Sequence, residues 1–404
     1  MPHLIGRKIR NGYVITRGIS ALLAIIFSLY YSKSLGVEKR SLVTFMLVVA
    51  VIMATVLTSG VGLAFRKFAH SEPHLVSLSS YLFINLALAI LVSISSAGIL
   101  MFYSRTQVFI PTTLLYLAII YSFLGALDFS YHQGLIAYGL FKIAAVLDLL
   151  TITIQILTFL LLTFSNQVSI AVSLFTSLII SYITSTVSSA LILLVHTNSS
   201  LMPTSKGIVL LLRKSAPYHI VGIANGFADR IDRIIIAWFL PLGMLGKYAV
   251  GTSLLSYLRF LPEAFSRLIV GGQTNFAEIA FRRIGASWIV RLFFGLTLSS
   301  ILAFASQTLV RVILGREWLL PFIIILAFAI QELVRGYFQL RIATLVTQGR
   351  ESNVMKISIL LIAMSALFSL IGVNLVGLIG VPIGIGLTYL ILLYFSYKIH
   401  WKSH

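Results

Sequence analysis

The sequence contains no cysteine, and it has only 11 Asp and Glu against 30 Lys and Arg. Without cysteine there is no disulfide framework and no thiolate metal site, and the redox compartment is unreadable. Charged residues of either sign make up 10% of the chain, while hydrophobic residues make up 59% and the mean hydropathy is +1.01. So little charge cannot cover the surface of a water-soluble fold of 404 residues. A soluble enzyme, a fibrous protein and a disordered chain are therefore excluded. No Gly-x-x-x-x-Gly-Lys phosphate loop is present, so ATP hydrolysis is not expected, and neither a His-Glu-x-x-His metal motif nor a Gly-x-Ser-x-Gly elbow occurs. The basic excess is not a nucleic-acid signature, because in a polytopic membrane protein Lys and Arg mostly record topology and anionic lipid.

What the chain does have is apolar length, enough for roughly twelve spans of about 20 residues each. Hydropathy predicts helical spans near 13–31, 42–64, 76–101, 109–127, 143–164 and 168–194, then 220–240, 248–271, 288–307, 320–345, 357–376 and 379–397. All are read as helices because open backbone cannot face lipid. Arg7, Lys8 and Arg10 before the first run imitate a signal peptide, but no small-residue cleavage site precedes Lys33, so the run is read as a retained span. Counting the N-terminus as inside, the inner segments hold about twice as many Lys and Arg as the outer loops, which predicts both termini cytoplasmic.

The longest connection falls near the midpoint. Residues 196–217 read as a cytoplasmic linker, with an amphipathic stretch over 207–214 lying along the inner interface. The predicted organisation is an N-terminal lobe, 1–195, and a C-terminal lobe, 218–404, each of six helices. The halves also echo one another: Ser34-Leu35-Gly36 with Arg40 and Leu42-Val43 recurs as Pro241-Leu242-Gly243 with Lys247 and Ala249-Val250. An even number of helices between the copies implies two lobes of the same topology, the parallel-repeat plan of a secondary transporter. Gly380, Gly384 and Gly386 in the last span are read as close helix packing.

The charges inside the spans call for a reason, since one Arg or Asp at a helix centre costs roughly 2.5–3.5 kcal/mol. Asn225, Asp229, Asp232 and Arg233 in the seventh span are spaced i, i+4, i+7, i+8 and so share one face of a continuous helix. Asp229 lies about 17 Å deep if the helix starts near Tyr218. Two readings stand: an ion pair of Asp229 with Arg233 that packs helices, or a wet cavity wall where the pair holds an Arg ready for cargo. Arg259, Glu263 and Arg267 share a face of the eighth span, interrupted by Pro262, and one Glu cannot neutralise both arginines. Gln331, Arg335 and Gln339 line a face of the tenth, where Glu332 is a partner for Arg335. Arg267, Arg291 and Arg341 read as boundary anchors, and Arg17 as either snorkelling or cavity lining. In the first half Asp148, Thr151 and Gln155 form the one conspicuous polar face. Asp148 is either a titrating proton or sodium site or a partner for a neighbouring cation. Net positive charge directed inward suits an anionic cargo, and the Arg fork suits phosphate. The substrate-binding candidates are Arg17, Asn225, Arg233, Arg259 and Arg335. The ion-pair and coupling candidates are Asp148, Asp229, Asp232 and Glu263.

Several segments resemble the Wzx-type polysaccharide flippases. They are Tyr30-Tyr31-Ser32-Lys33-Ser34-Leu35-Gly36 with Arg40-Ser41-Leu42-Val43, and Ser59-Gly60-Val61-Gly62-Leu63-Ala64-Phe65-Arg66-Lys67 closing the second span. The seventh-span run Ala228-Asp229-Arg230-Ile231-Asp232-Arg233-Ile234-Ile235-Ile236 and the terminal Gly377-Leu378-Ile379-Gly380-Val381-Pro382-Ile383-Gly384 are similar to the same family. The turns depart from its pattern, since Glu38-Lys39-Arg40-Ser41 stands where an aromatic is common. The resemblance implies the superfamily of multidrug, oligosaccharidyl-lipid and polysaccharide exporters. That means an all-α polytopic inner-membrane protein with two six-helix lobes in a V, no enzymatic activity, and no cofactor beyond a proton or sodium ion for coupling. It implies a cargo of undecaprenyl-diphosphate-linked oligosaccharide, such as an O-antigen repeat unit, turned to the outer leaflet by alternating access. It also places Arg17, Asp232, Arg233 and Arg259 at the diphosphate or acidic sugars. Membrane lipid, a polysaccharide polymerase and chain-length machinery are the implied partners. Alternatives are a lipid-linked cell-wall precursor flippase, a cation-coupled multidrug exporter, which needs more acidic groups, and a membrane polymerase or ligase, which needs a long external loop.

Overall fold

A computed structural model of the chain describes residues 2–71, 77–165, 168–197, 202–255 and 288–401. The described residues form α-helices joined by short turns, with two 3₁₀ turns and no strands. They divide into two compact units, Met1–Phe227 and Ala228–His404.

The first unit opens with α1, Pro2–Ser71, which is interrupted at Gly36 (φ 73°, ψ 168°). That left-handed backbone excludes most side chains and suits glycine. The interruption is a reversal, not a bend. Arg40 approaches Ser28 Oγ to 3.5 Å and stacks 4.6 Å above the Tyr31 ring, although 12 residues of straight helix span about 18 Å. α1 is therefore the first and second predicted spans, folded at the Leu-Gly turn. Next come α2 (Leu78–Thr106), α3 (Thr112–Ala137), α4 (Phe141–Phe164), α5 (Ile170–Thr197) and α6 (Ser205–Ala228). Ser77 starts α2 by accepting from the Ser80 N–H at 3.3 Å.

The core of this unit is apolar with aromatic anchors. Phe65 stacks on Tyr81 at 4.0 Å, and the Tyr81 hydroxyl donates to the Ser130 carbonyl. α5 carries Ser173, Ser177, Ser181, Ser185 and Ser189 at every fourth position, all buried. A stripe of small residues lets helices approach in an apolar medium where the hydrophobic effect cannot drive them together. The stretch 207–214, read from sequence as part of a linker, is the opening of α6 and continuous with it. Farther along, Gly226 of α6 meets the Thr55 side chain of α1, with no room for a larger residue.

The second unit contains α7 (Ile231–Phe239), α8 (Leu242–Leu255), α9 (Trp288–Ile313), α10 (Phe322–Thr347), α11 (Glu351–Val376) and α12 (Gly380–Trp401). α11 and α12 pair backbone to backbone. A Cβ added at Gly384 would stand 2.5 Å from the Phe368 carbonyl oxygen, so Gly384 fits as packing, as does Gly380, whereas Gly386 meets only ordinary contact with Gln331 at 3.8 Å. Gly384→Leu should force the pair apart and cost at least 1–3 kcal/mol, roughly the range of overpacked cores. Thermal unfolding in detergent checks this; a wild-type transition would remove the packing role.

Among the described residues, eight helical stretches are long and apolar enough to cross a membrane, and two of them, Ile15–Ala69 and Ser352–Ser396, are double length. Large apolar side chains such as Phe102, Leu161, Phe304 and Leu375 stand exposed on their outer faces, as lipid contact requires.

Candidate functional site

In the first unit a polar cluster gathers residues from four helices. Arg17 of α1 donates through Nη2 to Asp148 Oδ2 of α4 at 2.8 Å, and His132 Nε2 of α3 sits 3.4 Å from Asp148 Oδ1. One carboxylate thus faces a cation on one oxygen and an imidazole on the other. Asp128 lies one helical turn before His132, where the Ser185 hydroxyl of α5 interacts with it. His132 is buried, while the Arg17 and Asp148 side chains keep 21% and 31% of their exposure.

Sequence reasoning found Arg17 and Asp148 but missed Asp128 and His132. It closed the fourth span at residue 127, so Asp128 fell just outside and His132 in a loop. α3 continues to Ala137, which places both inside. The readable signal was their i, i+4 spacing within one helical turn.

The helix that sequence predicted over 220–240 is two pieces. α6 stops at Ala228, Asp229 and Arg230 form a turn, and α7 begins at Ile231. The shared face of Asn225, Asp229, Asp232 and Arg233 assumed unbroken helical geometry, so that juxtaposition does not hold across the break. Asp229 pairs with Arg335 of α10 and not with Arg233. Arg335 also faces Glu332 at 3.6 Å, the partner read from sequence, and lies 5.9 Å from the Tyr389 ring centroid. At 2% side-chain exposure this guanidinium is enclosed between two carboxylates. Arg341, read as a boundary anchor, donates to the Ser396 carbonyl at 3.0 Å.

Asp232 opens α7, where its Oδ1 accepts the Arg233 N–H at 2.8 Å and its carboxylate meets the Tyr248 hydroxyl. Arg233 differs from Arg335. The residue is 8% exposed, and among the described residues its guanidinium makes no hydrogen bond or ion pair. A buried cation left without a carboxylate is costly unless an outside anion completes it. The predicted inward positive excess therefore narrows, among the described residues, to Arg233; Arg17 and Arg335 are matched by acids. Asn225 falls in α6. Arg259, Glu263 and Arg267, with Pro262, lie outside the described residues.

Serial apolar helices carrying buried ionic clusters in each of two units define a multi-pass membrane protein. Solved structures share its fold. The fold matches an aspartate-to-asparagine mutant of the Vibrio cholerae MATE transporter VcmN with a TM-score of 0.69, at 14% identity over 98% of this chain and 97% of that one. It matches an outward-facing MATE transporter of the MOP superfamily with a TM-score of 0.64, at 12% identity over 98% and 94% of the two chains. An inward-facing one scores 0.62, at 14% identity over 96% and 98%. Residues 12–261 match the family described as Polysaccharide biosynthesis protein. The chain belongs to that family. No curated protein sequence matches it.

Proposed function

We propose that this protein is a flippase that turns a polyprenyl-diphosphate-linked oligosaccharide, a polysaccharide repeat unit of the O-antigen type, from the inner to the outer leaflet by alternating access. The observation that carries the reading is Arg233, a buried guanidinium with no ion pair among the described residues, in a polysaccharide-biosynthesis chain with a transporter-like fold. A diphosphate supplies the two-oxygen acceptor that a guanidinium fork binds best. Arg17 on the first helix, and Arg259 and Asn225 by sequence, are further candidates to meet the diphosphate or acidic sugars. Arg335, enclosed by Asp229 and Glu332, holds the turn between α6 and α7 in place. The Lys and Arg distribution supports an inner-membrane protein with both termini cytoplasmic. Polymerase and chain-length proteins are its expected partners.

The test is reconstitution into proteoliposomes with a polyprenyl-diphosphate-linked glycan, following its accessibility at the opposite leaflet. Glycan crossing that depends on the protein supports the reading. Export of cationic drugs in its place overturns it in favour of a multidrug exporter. Asp148 is the candidate coupling group for a proton or sodium gradient. Asp148→Asn should alter the dependence of transport on that gradient, and unchanged transport at every gradient would leave Asp148 structural.

A further inference from the structure

We infer that the first unit carries a binding site for the headgroup of an anionic phospholipid, built by Lys67 and Lys214 around Phe68 and Tyr218 and continued along the exposed face of α6. The argument begins where the helix ends meet. α1 stops at Ser71, α3 at Ala137 and α5 at Thr197, while α2 starts at Leu78, α4 at Phe141 and α6 at Ser205. One apolar cluster joins these ends, with Ala69, Leu78, Ala137, Ala144, Leu193 and Leu211 buried in it. Across 62–78, 138–147 and 196–228 the sequence places six Lys and Arg against one acid, Glu72, which lies outside the described residues. Four of the six, Lys67, Lys142, Lys206 and Arg213, are exposed.

The rings fix the level of this end in the bilayer. Phe68, Tyr138, Phe141 and Tyr218 are partly buried against the same cluster. Aromatic side chains gather where hydrocarbon gives way to headgroups, and basic ones meet the lipid phosphates beside them. Lys214 Nζ of α6 sits 4.2 Å from the Phe68 ring centroid. Lys67 Nζ of α1 lies 5.6 Å from the same ring and 5.8 Å from that of Tyr218. Two ammonium groups from different helices thus converge on one phenyl ring, and an anion docked beside that ring is attracted by both.

The opening of α6 supplies the apolar half of the site. Leu211 and Ser215 are buried, whereas Val209 and Leu212 stand exposed next to Lys206 and Arg213. Positions 206, 209 and 213 follow i, i+3, i+7 and share one face. Apolar and basic side chains interleaved on one exposed face match a bilayer interface, with acyl chains against Val and Leu and phosphate against Lys and Arg. A free phosphate ion would leave the apolar half uncovered. The basic excess favours an anionic headgroup over a zwitterionic one, which brings its own cation.

The site is independent of the flippase reading, and its test uses no glycan. Purified full-length protein in nanodiscs of mixed phosphatidylglycerol and phosphatidylcholine is released for native mass spectrometry, and the bound lipids are compared. Wild type should prefer phosphatidylglycerol at least tenfold, less so at high salt, and inorganic phosphate should not displace it. Lys67→Gln with Lys214→Gln should lower the preference by about fivefold for each charge removed, and Lys67→Arg with Lys214→Arg should keep it. Lys33→Gln with Lys39→Gln, beside the Gly36 turn at the opposite end of the α1 hairpin, should bind as wild type does. Equal binding of the two lipids by wild type, displacement by phosphate, or an equal fall in both Gln pairs overturns the inference. If the Lys67 and Lys214 variant does not fold, wild type crosslinked to a headgroup-photoactivatable phosphatidylglycerol decides. Adducts on 67–68 and 206–218 support the site, and adducts only elsewhere refute it.

Discussion

Arg233→Ala is expected to lower glycan translocation by roughly ten- to hundredfold while the protein remains folded and abundant. The size follows from the net loss of one charge-assisted hydrogen bond to phosphate, worth about 1.5–3 kcal/mol. The folding half follows from the guanidinium's lack of a protein partner among the described residues. Deleting a buried charge that makes no ion pair among the described residues breaks no pair there and relieves a desolvation cost. Arg233→Lys should restore only part of the activity, because an ammonium offers a point charge where the fork offers two parallel donors. Translocation in proteoliposomes measures the loss, and fluorescence-detected size exclusion measures the folded fraction. Unimpaired translocation by Arg233→Ala would remove this residue from the cargo site, and a collapsed elution profile would mark it as structural.

Arg335→Ala should do the reverse and act first on stability. This guanidinium faces Asp229 and Glu332 and is buried. Its removal takes the shared cation from Asp229 and Glu332, and breaking a buried pair from one side costs about 3–5 kcal/mol. The affected segment is the turn at Asp229 and Arg230 that separates α6 from α7, so the loss should reach the helix carrying Arg233. Adding Asp229→Leu and Glu332→Leu to Arg335→Met replaces the ionic group by apolar side chains and should recover most of the lost stability. Thermal unfolding in one detergent, with single and triple variants side by side, checks this. If Arg335→Ala melts as wild type does but fails to translocate, Arg335 is a cargo ligand and not a clamp.

Together these variants separate two kinds of intramembrane arginine that look alike in sequence. Both lie in apolar runs with acids three or four positions away, Asp229 for Arg233 and Glu332 for Arg335. A spacing of i, i+4 predicts pairing only if the helix is continuous. The chain breaks after Ala228, so Asp229 leaves the face of Arg233 and reaches α10. Glu332 and Arg335 share an intact helix, and their pairing was readable.

Hydropathy alone determined that the protein is all-helical and spans a membrane, because about twenty apolar residues in lipid have no conformational option besides helix. The turn at Gly36 and the close packing at Gly380 and Gly384 were equally legible, since glycine marks backbone that other residues cannot adopt or approach. Only the tertiary structure decided which charges meet: Arg17 with Asp148, His132 with the same carboxylate, and Asp229 with Arg335. Each of these joins residues from different helices, a distance that periodicity along one helix cannot encode. The extension of α3 to Ala137, which brings Asp128 and His132 inside, rests on packing against α1 and α5 and not on local hydropathy. An ion pair in an apolar interior is fixed by where helices dock, and docking is a property of the whole fold.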